Sequence, residues 1–438
     1  MNRFIAVLAL MVSAVMAQAE VEIQQVESPG GFKAWLVQEP SIPFVALEIN
    51  FQGGASLDAP DKRGATNLMV ALLEEGAGDL DAQGFTQATE ALAAQFKYDV
   101  SDDTLSVSAR ILTENRDQAV ALLRESLVNP RFDADAIERV RGQVLSSIRS
   151  DLRDPDSIAG AAWDKMVFGD HPYGSPYDGT EDSVAALTRD DILAAHKAAI
   201  AQDRVFVAAA GDITAEELGA IMDMLLADLP EQGAPQPAHV QVQTTAGVTV
   251  VPFATPQSVA IFGHEGIKRD DPDFFAAYVM NVVLGGGGFE ARLMNEVREK
   301  RGLTYGVYSY LVPKDHAELY LGRVASANDR IGEAVEVIRD VWDGVARDGV
   351  TQDELDRAKT YLTGGYPLRF DGNGQIANIL VGMQTEGLDP DYVNTRNAQI
   401  EAVTLEDVKR VAARVLKPDA LHFVVVGQPD GLETTLGQ

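Results

Sequence analysis

The chain repeats itself, and the repeat limits the folds open to it. Thr188-Arg-Asp-Asp191-Ile192 is followed, twenty residues after Asp191, by Gly211 at the end of Val207-Ala-Ala-Ala. Thr404-Leu-Glu-Asp407-Val408 is followed at the same interval by Gly427, at the end of Phe423-Val-Val-Val. Each copy reads as a capped helix, a short connection and a buried strand closed by glycine. Their offset is 216 residues. A second pair, Phe132-x-x-Asp135-x-Ile137-x-Arg139-x-Arg141 and Val350-x-x-Asp353-x-Leu355-x-Arg357-x-Lys359, recurs at 218. Two matches at nearly one offset indicate a duplicated unit of about 200 residues.

Within the first copy, alternating apolar residues predict strands over Phe44–Phe51 and Thr104–Ile111. Helical periodicity predicts helices near Ala65–Glu75, Phe85–Gln95, Asp117–Leu127, Asp135–Ser150 and Arg189–Ile200. The pattern is α+β, given twice. The proline-rich run Leu229-Pro-Glu-Gln-Gly-Ala-Pro-Gln-Pro-Ala joins the copies and should be extended and exposed. This divides the chain into 1–19, 20–228, a linker 229–245, and 246–438.

The first 19 residues read as a secretory signal. Arg3 is the charged end, Phe4 to Met16 is apolar, and Ala17-Gln18-Ala19 is a small-x-small cleavage site. The apolar run is too short for a permanent span. The expectation is a periplasmic or otherwise exported protein, soluble after removal of the signal. No cysteine is present, which removes disulfides and thiolate metal ligation. A formal charge of −30 argues against nucleic acid as a partner.

The densest chemistry lies between Gly285 and Tyr310. Four glycines, Gly285, Gly286, Gly287 and Gly288, precede a helix with Leu293 and Val297 on one face. Gly302 is placed to end it in a left-handed cap. A strand should follow, with Leu303, Tyr305 and Val307 on one side. Arg298, in the last helical turn, and Tyr305, on the strand, can then share one space. A helix C-terminus favours arginine in any protein and strands favour tyrosine, so the pair also has a structural reading. The glycine run lacks the lysine and hydroxyl of a phosphate loop.

The segment resembles the second half of the pitrilysin-type inverted zincins, which include the mitochondrial processing peptidases. There, an arginine and a tyrosine seven apart in a Val-Arg-Glu-Lys-Arg-Gly-Leu-x-Tyr-like string bind the substrate backbone. Arg298 and Tyr305 match residue for residue. The resemblance extends over essentially the whole mature chain and includes His171-Pro-Tyr-Gly174 before the strand ending at Gly211-Asp212. His171 could be read as catalytic, but its Pro/Gly loop offers no partner histidine at ligand spacing. The resemblance implies two homologous α/β domains forming a clam-shell around a chamber.

Active members carry H-x-x-E-H on a first-half helix and a later glutamate as third zinc ligand. Aligned on Gly64, the first histidine falls on Asn67, the general base on Val70 and the second histidine on Ala71. The third ligand falls on Ser147, within Val144-Leu-Ser-Ser147-Ile148. None of these residue types suits zinc. No two of the six histidines are three to five residues apart. The expectation is therefore no metal in this chain, with zinc in a homologous partner.

The resemblance implies a zinc-less subunit of an exported heterodimeric metallopeptidase. Arg298 and Tyr305 would position peptide for the zinc-bearing partner, and Gly285–Gly288 has two readings, a substrate-capture loop or a tight turn into the helix. A non-proteolytic structural or scaffold member of the same family is the alternative. An autonomous peptidase would require a metal site that is not visible.

Overall fold

The computed structural model describes residues 22–435, so the expected signal segment lies outside the described residues. Two sheets dominate. The first contains β1 (Gln24–Glu27), β2 (Lys33–Gln38), β3 (Phe44–Gln52), β4 (Gln95–Val100), β5 (Thr104–Leu112) and β6 (Val205–Gly211). Their spatial order is β1-β2-β6-β3-β5-β4. The second contains β7 (Gly247–Pro252), β8 (Gln257–Glu265), β9 (Val307–Lys314), β10 (Ala317–Ala327) and β11 (His422–Gly427), in the order β9-β10-β8-β11-β7. Read from the opposite edge, the second order repeats the first without β1. In each sheet one parallel pair, β2 with β6 or β7 with β11, joins an otherwise antiparallel ladder.

The repeated sequence signals occupy equivalent places. Thr188 and Thr404 cap the helices Arg189–Ala199 and Leu405–Val415, each in a reciprocal capping box with the aspartate three residues on. Gly211 and Gly427 end the paired strands at φ +133 and +154. A Cβ at Gly211 would meet the Phe44 carbonyl oxygen, and one at Gly427 the Ser258 hydroxyl, so both positions need glycine on space and backbone grounds.

The expected helices occur with shifted ends. Asp117–Leu127 and Asp135–Ser150 appear as Arg116–Val128 and Ala134–Asp151. The helix expected over Phe85–Gln95 runs Ala82–Ala91, because the Asp81 carboxylate caps it earlier and Ala93 turns out at φ +48. The helix expected to reach Glu75 spans only Ala65–Val70 (α1), after which three-residue turns tighten the chain through Leu73.

Each sheet packs one face on helices of its own half. Val45, Leu47 and Ile49 of β3 enter the first core, and Phe423 and Val425 of β11 enter the second. The opposite faces are covered crosswise. The helix Pro155–Phe168 (α2), from the first half, lays Ala159 on Val259 and Val426 of the second sheet, and its Trp163 joins a cluster with Leu319 and Val424. The helix Asn373–Thr385 (α3), from the second half, lays Ile376, Ala377, Leu380 and Val381 on Trp35, Ala46, Ala208 and Ala210 of the first. The alanines of β6 leave room for α3 to approach closely. The two α+β halves therefore interlock.

Polar contacts complete the junction. Lys314 at the tip of the β9–β10 hairpin pairs with Asp102 at 2.7 Å, and Tyr173 bonds Asp103 while its hydroxyl accepts from the His316 N–H at 3.1 Å. Residues 229–245 run without regular structure and are largely exposed. They are pinned to both halves, by Ala234 N–H to the Ala198 carbonyl and by Val240 N–H to the His316 carbonyl.

Candidate functional site

The residues that the resemblance aligns with zinc-site positions lie on or just after α1 (Asn67, Val70 and Ala71) and on the helix Ala134–Asp151 (Ser147). Asp58 fixes the start of α1, accepting from the N–H groups of Gly64 and Thr66 at 2.9 and 3.0 Å. Leu68, Met69, Leu72 and Leu73 are fully buried, and Val70 is nearly so. Asn67 and Ala71 are half-buried, and Ser147 is exposed. An amide, two aliphatic side chains and a hydroxyl make a donor set that does not fit zinc. Among the described residues, no group of three or more histidine and carboxylate side chains is arranged to hold a metal ion.

A cavity of about 600 Å³ opens immediately beyond Ser147. Ile148, Leu152, Ile158, Tyr177, Asp164 and Asp178 contribute to its lining. Burial pushes the Asp164 carboxyl up to about 7, with Lys314 and Arg63 opposing the rise and Asp102 adding to it. On the inner face of the first sheet, burial likewise raises Glu48 to about 7 against the hydrogen bond from Ser108. His171 is a structural residue. Its Nε2 bonds the Ala238 carbonyl at 3.0 Å, and its Nδ1 accepts from the Tyr173 N–H at 3.2 Å.

In the second half, the glycine run does not open the next helix directly. The helix Phe274–Asn281 continues into a wider π-turn over Val282–Gly286, and a 3-10 turn at Gly288–Glu290 follows. Gly285 lies against Ser309, whose backbone nitrogen would be 2.6 Å from a Cβ, so β9 passes too close for any side chain. Gly288 sits at φ +61. The next turn, Met294–Glu299, is also π-wound, with the Lys300 N–H donating to the Asn295 carbonyl. Single π-turns inside helices recur at functional sites. Leu293 and Val297 are fully buried, as their spacing predicts.

Gly302 ends this turn at φ +59, the expected left-handed cap. The strand begins later than expected, at Val307. Leu303, Tyr305 and Val307 do not share a side: Leu303 and Val307 are buried, whereas Tyr305 is 89% exposed. Thr304 causes the difference. Its hydroxyl donates to the Ala325 carbonyl at 2.6 Å and accepts from the Gly306 N–H at 3.0 Å, closing a turn that throws Tyr305 outward.

Arg298 and Tyr305 therefore stand on one surface segment without a hydrogen bond between them among the described residues. The Arg298 Nη1 donates to Glu299 at 2.6 Å, and its guanidinium lies 4.7 Å from the Phe289 ring centroid. That ring is 66% exposed. A cation–π contact at an exposed site gives about 0.5–1 kcal/mol, less than the ~1.5–3 kcal/mol gained by burying a phenyl group. Stability alone does not explain a phenylalanine here. Sequence reading passed over Phe289, and its position directly after four glycines was the available signal.

Two family models match the chain: "Insulinase (Peptidase family M16)" over residues 33–179 and "Peptidase M16 inactive domain" over residues 186–362. The non-peptidase homolog YmxG of Helicobacter pylori is 27% identical, with 88% of this chain and 89% of that protein aligned. An uncharacterized zinc protease of Streptomyces coelicolor is 28% identical over 90% of this chain and 87% of its own length. The crystal structure of a peptidase M16 inactive domain from Pseudomonas fluorescens superposes with a TM-score of 0.88 at 30% identity, covering 95% of this chain and all of that one. A Helicobacter pylori protease shares the fold, with a TM-score of 0.84 at 17% identity and 93% coverage of this chain. Fold, internal repeat and matched sequence agree: the chain belongs to the peptidase M16 family.

Proposed function

We propose that this chain is the zinc-less subunit of an exported heterodimeric M16 peptidase, binding and positioning peptide substrate for a zinc-bearing H-x-x-E-H partner. In this reading residues 20–228 form the degenerate half and residues 246–438 the substrate-binding half. One observation carries the reading: α1 has become core, while Arg298 and Tyr305 remain on the surface. Arg298 offers a planar fork of donors and Tyr305 a phenol, both suited to carbonyls of an extended peptide. Holding the peptide in register is catalysis by positioning. The likeness to a protein named a non-peptidase homolog supports the absence of activity in the chain alone. No helix among the described residues is long and apolar enough to cross a membrane.

The test isolates the chain with and without the proteins that co-purify with it. Alone, it should contain no stoichiometric zinc and cleave no peptide. With a homologous H-x-x-E-H subunit it should cleave, and Arg298→Ala should lower turnover without releasing the partner. One tightly bound zinc per isolated chain would end this reading. The second reading, a non-proteolytic scaffold, draws on the Arg298 guanidinium being already engaged by Glu299 and Phe289. Unchanged turnover in both Arg298→Ala and Tyr305→Phe would place it first.

A further inference from the structure

The glycine run and Arg298 are joined by one contact. We propose that Phe289 is a positioning residue: its ring holds the Arg298 guanidinium toward substrate, so the glycine-rich loop sets where the arginine points. The proposal rests on the reading of Arg298 as substrate-binding.

The loop has the construction such a part needs. It is anchored at both ends, by Gly285 against Ser309 on one side and by the fully buried Ala291 and Leu293 on the other. Between those anchors Gly286, Gly287 and Gly288 carry no side chain, and Gly288 turns the backbone at φ +61. The first side chain to emerge is Phe289, 66% exposed and outside every apolar cluster of the described residues. Its one charged partner there is Arg298, 4.7 Å from the ring centroid.

The arginine is left free to act. Among the described residues its hydrogen bonding is confined to Nη1, which donates to Glu299, so Nε and Nη2 remain available. The nearby Glu296 does not compete for it, being paired with Lys300 and Arg301. The guanidinium carbon lies over the Phe289 ring, and Glu299 takes Nη1. Nε and Nη2 make no hydrogen bond among the described residues, and a donor to peptide carbonyls needs such free N–H groups.

Two measurements test this. The first reads the contact itself: the Nε–Hε resonance of Arg298, identified by its disappearance in Arg298→Lys. The ring current of Phe289 should displace it, Phe289→Leu should move it toward the position of a free arginine, and Phe289→Tyr should leave it in place. The second reads turnover of a quenched fluorogenic peptide library by the complex purified through this chain. Phe289→Leu should lower kcat/KM about two- to fivefold. Phe289→Tyr should restore it, and Phe289→Leu added to Arg298→Ala should cost nothing more. A resonance unmoved by Phe289→Leu overturns the proposal. So does full turnover in Phe289→Leu when Arg298→Ala is impaired. If Arg298→Ala itself is silent, the reading of Arg298 fails first, and the positioning role falls with it.

Discussion

Two short segments of this molecule have met opposite fates. Ala65–Leu73 and Gly285–Val307 are the segments that the resemblance aligns with metal and peptide handling. In the first, the side chains are core: Leu68, Met69, Leu72 and Leu73 are fully buried, and Val70 is nearly so. In the second, the backbone is irregular, with two π-turns and two glycines at positive φ, and it keeps a phenylalanine, an arginine and a tyrosine near solvent. Irregular backbone and exposed aromatics persist where contacts outside the chain favour them.

The largest effect that can break this comparison is on stability. Leu68→Ala should destabilise the fold by about 2–5 kcal/mol in denaturant unfolding, whereas Tyr305→Ala should fall within about 0.5 kcal/mol of the unaltered chain. A costly Tyr305→Ala would mean that the second segment is also structural.

A pH series sharpens the contrast between buried and exposed groups. His264 is fully buried, and its Nε2 accepts from Trp342 Nε1 at 3.0 Å and from the Lys417 N–H at 3.3 Å. Burial lowers its pKa from 6.5 to about 4. Because the folded value is depressed, its contribution is complete above pH 6.5 and is lost as the pH falls toward 4. The loss should approach about 3 kcal/mol, and His264→Gln should flatten that part of the profile while lowering stability at pH 7. Glu48 works in the other direction: its folded pKa is raised from 4.5 to about 7, so its contribution fades as the pH rises across that window.

Smaller still, Gly285→Ala should cost about 1–3 kcal/mol, because the new methyl meets the Ser309 hydroxyl and backbone. Last come the functional changes. Arg298→Ala and Tyr305→Phe should each reduce turnover by the complex on the order of ten- to a hundredfold with little change in unfolding midpoint. The double variant should lose less than the two singles predict, because both side chains would hold one peptide strand.

What could be read from residues alone follows the range of the interaction. The capped helices at Thr188 and Thr404 were legible because a capping box is complete within four residues. The buried strands behind them were legible because each is a short apolar run closed by a glycine, Gly211 or Gly427, at positive φ. The π-turns were not, since one extra residue in a helical turn leaves the apolar spacing of Leu293 and Val297 intact. The turn at Thr304 was missed because its hydroxyl bonds Ala325, a residue from the neighbouring strand. Least legible was the destination of α2 and α3. Their apolar faces announce helices that must be buried, but nothing in their periodicity says that each belongs on the other half's sheet.

That exchange bears on how such a chain could have arisen. A half-length ancestor with the same layout would have left one side of its sheet bare, with its own helix reaching outward. Two copies would have had to trade helices before either was fully covered. Fusion of two such copies would turn an obligate pair into a single polypeptide and leave each half free to diverge. Expressed separately today, residues 20–228 and 246–438 should each be poorly soluble and should recover their native state only when mixed.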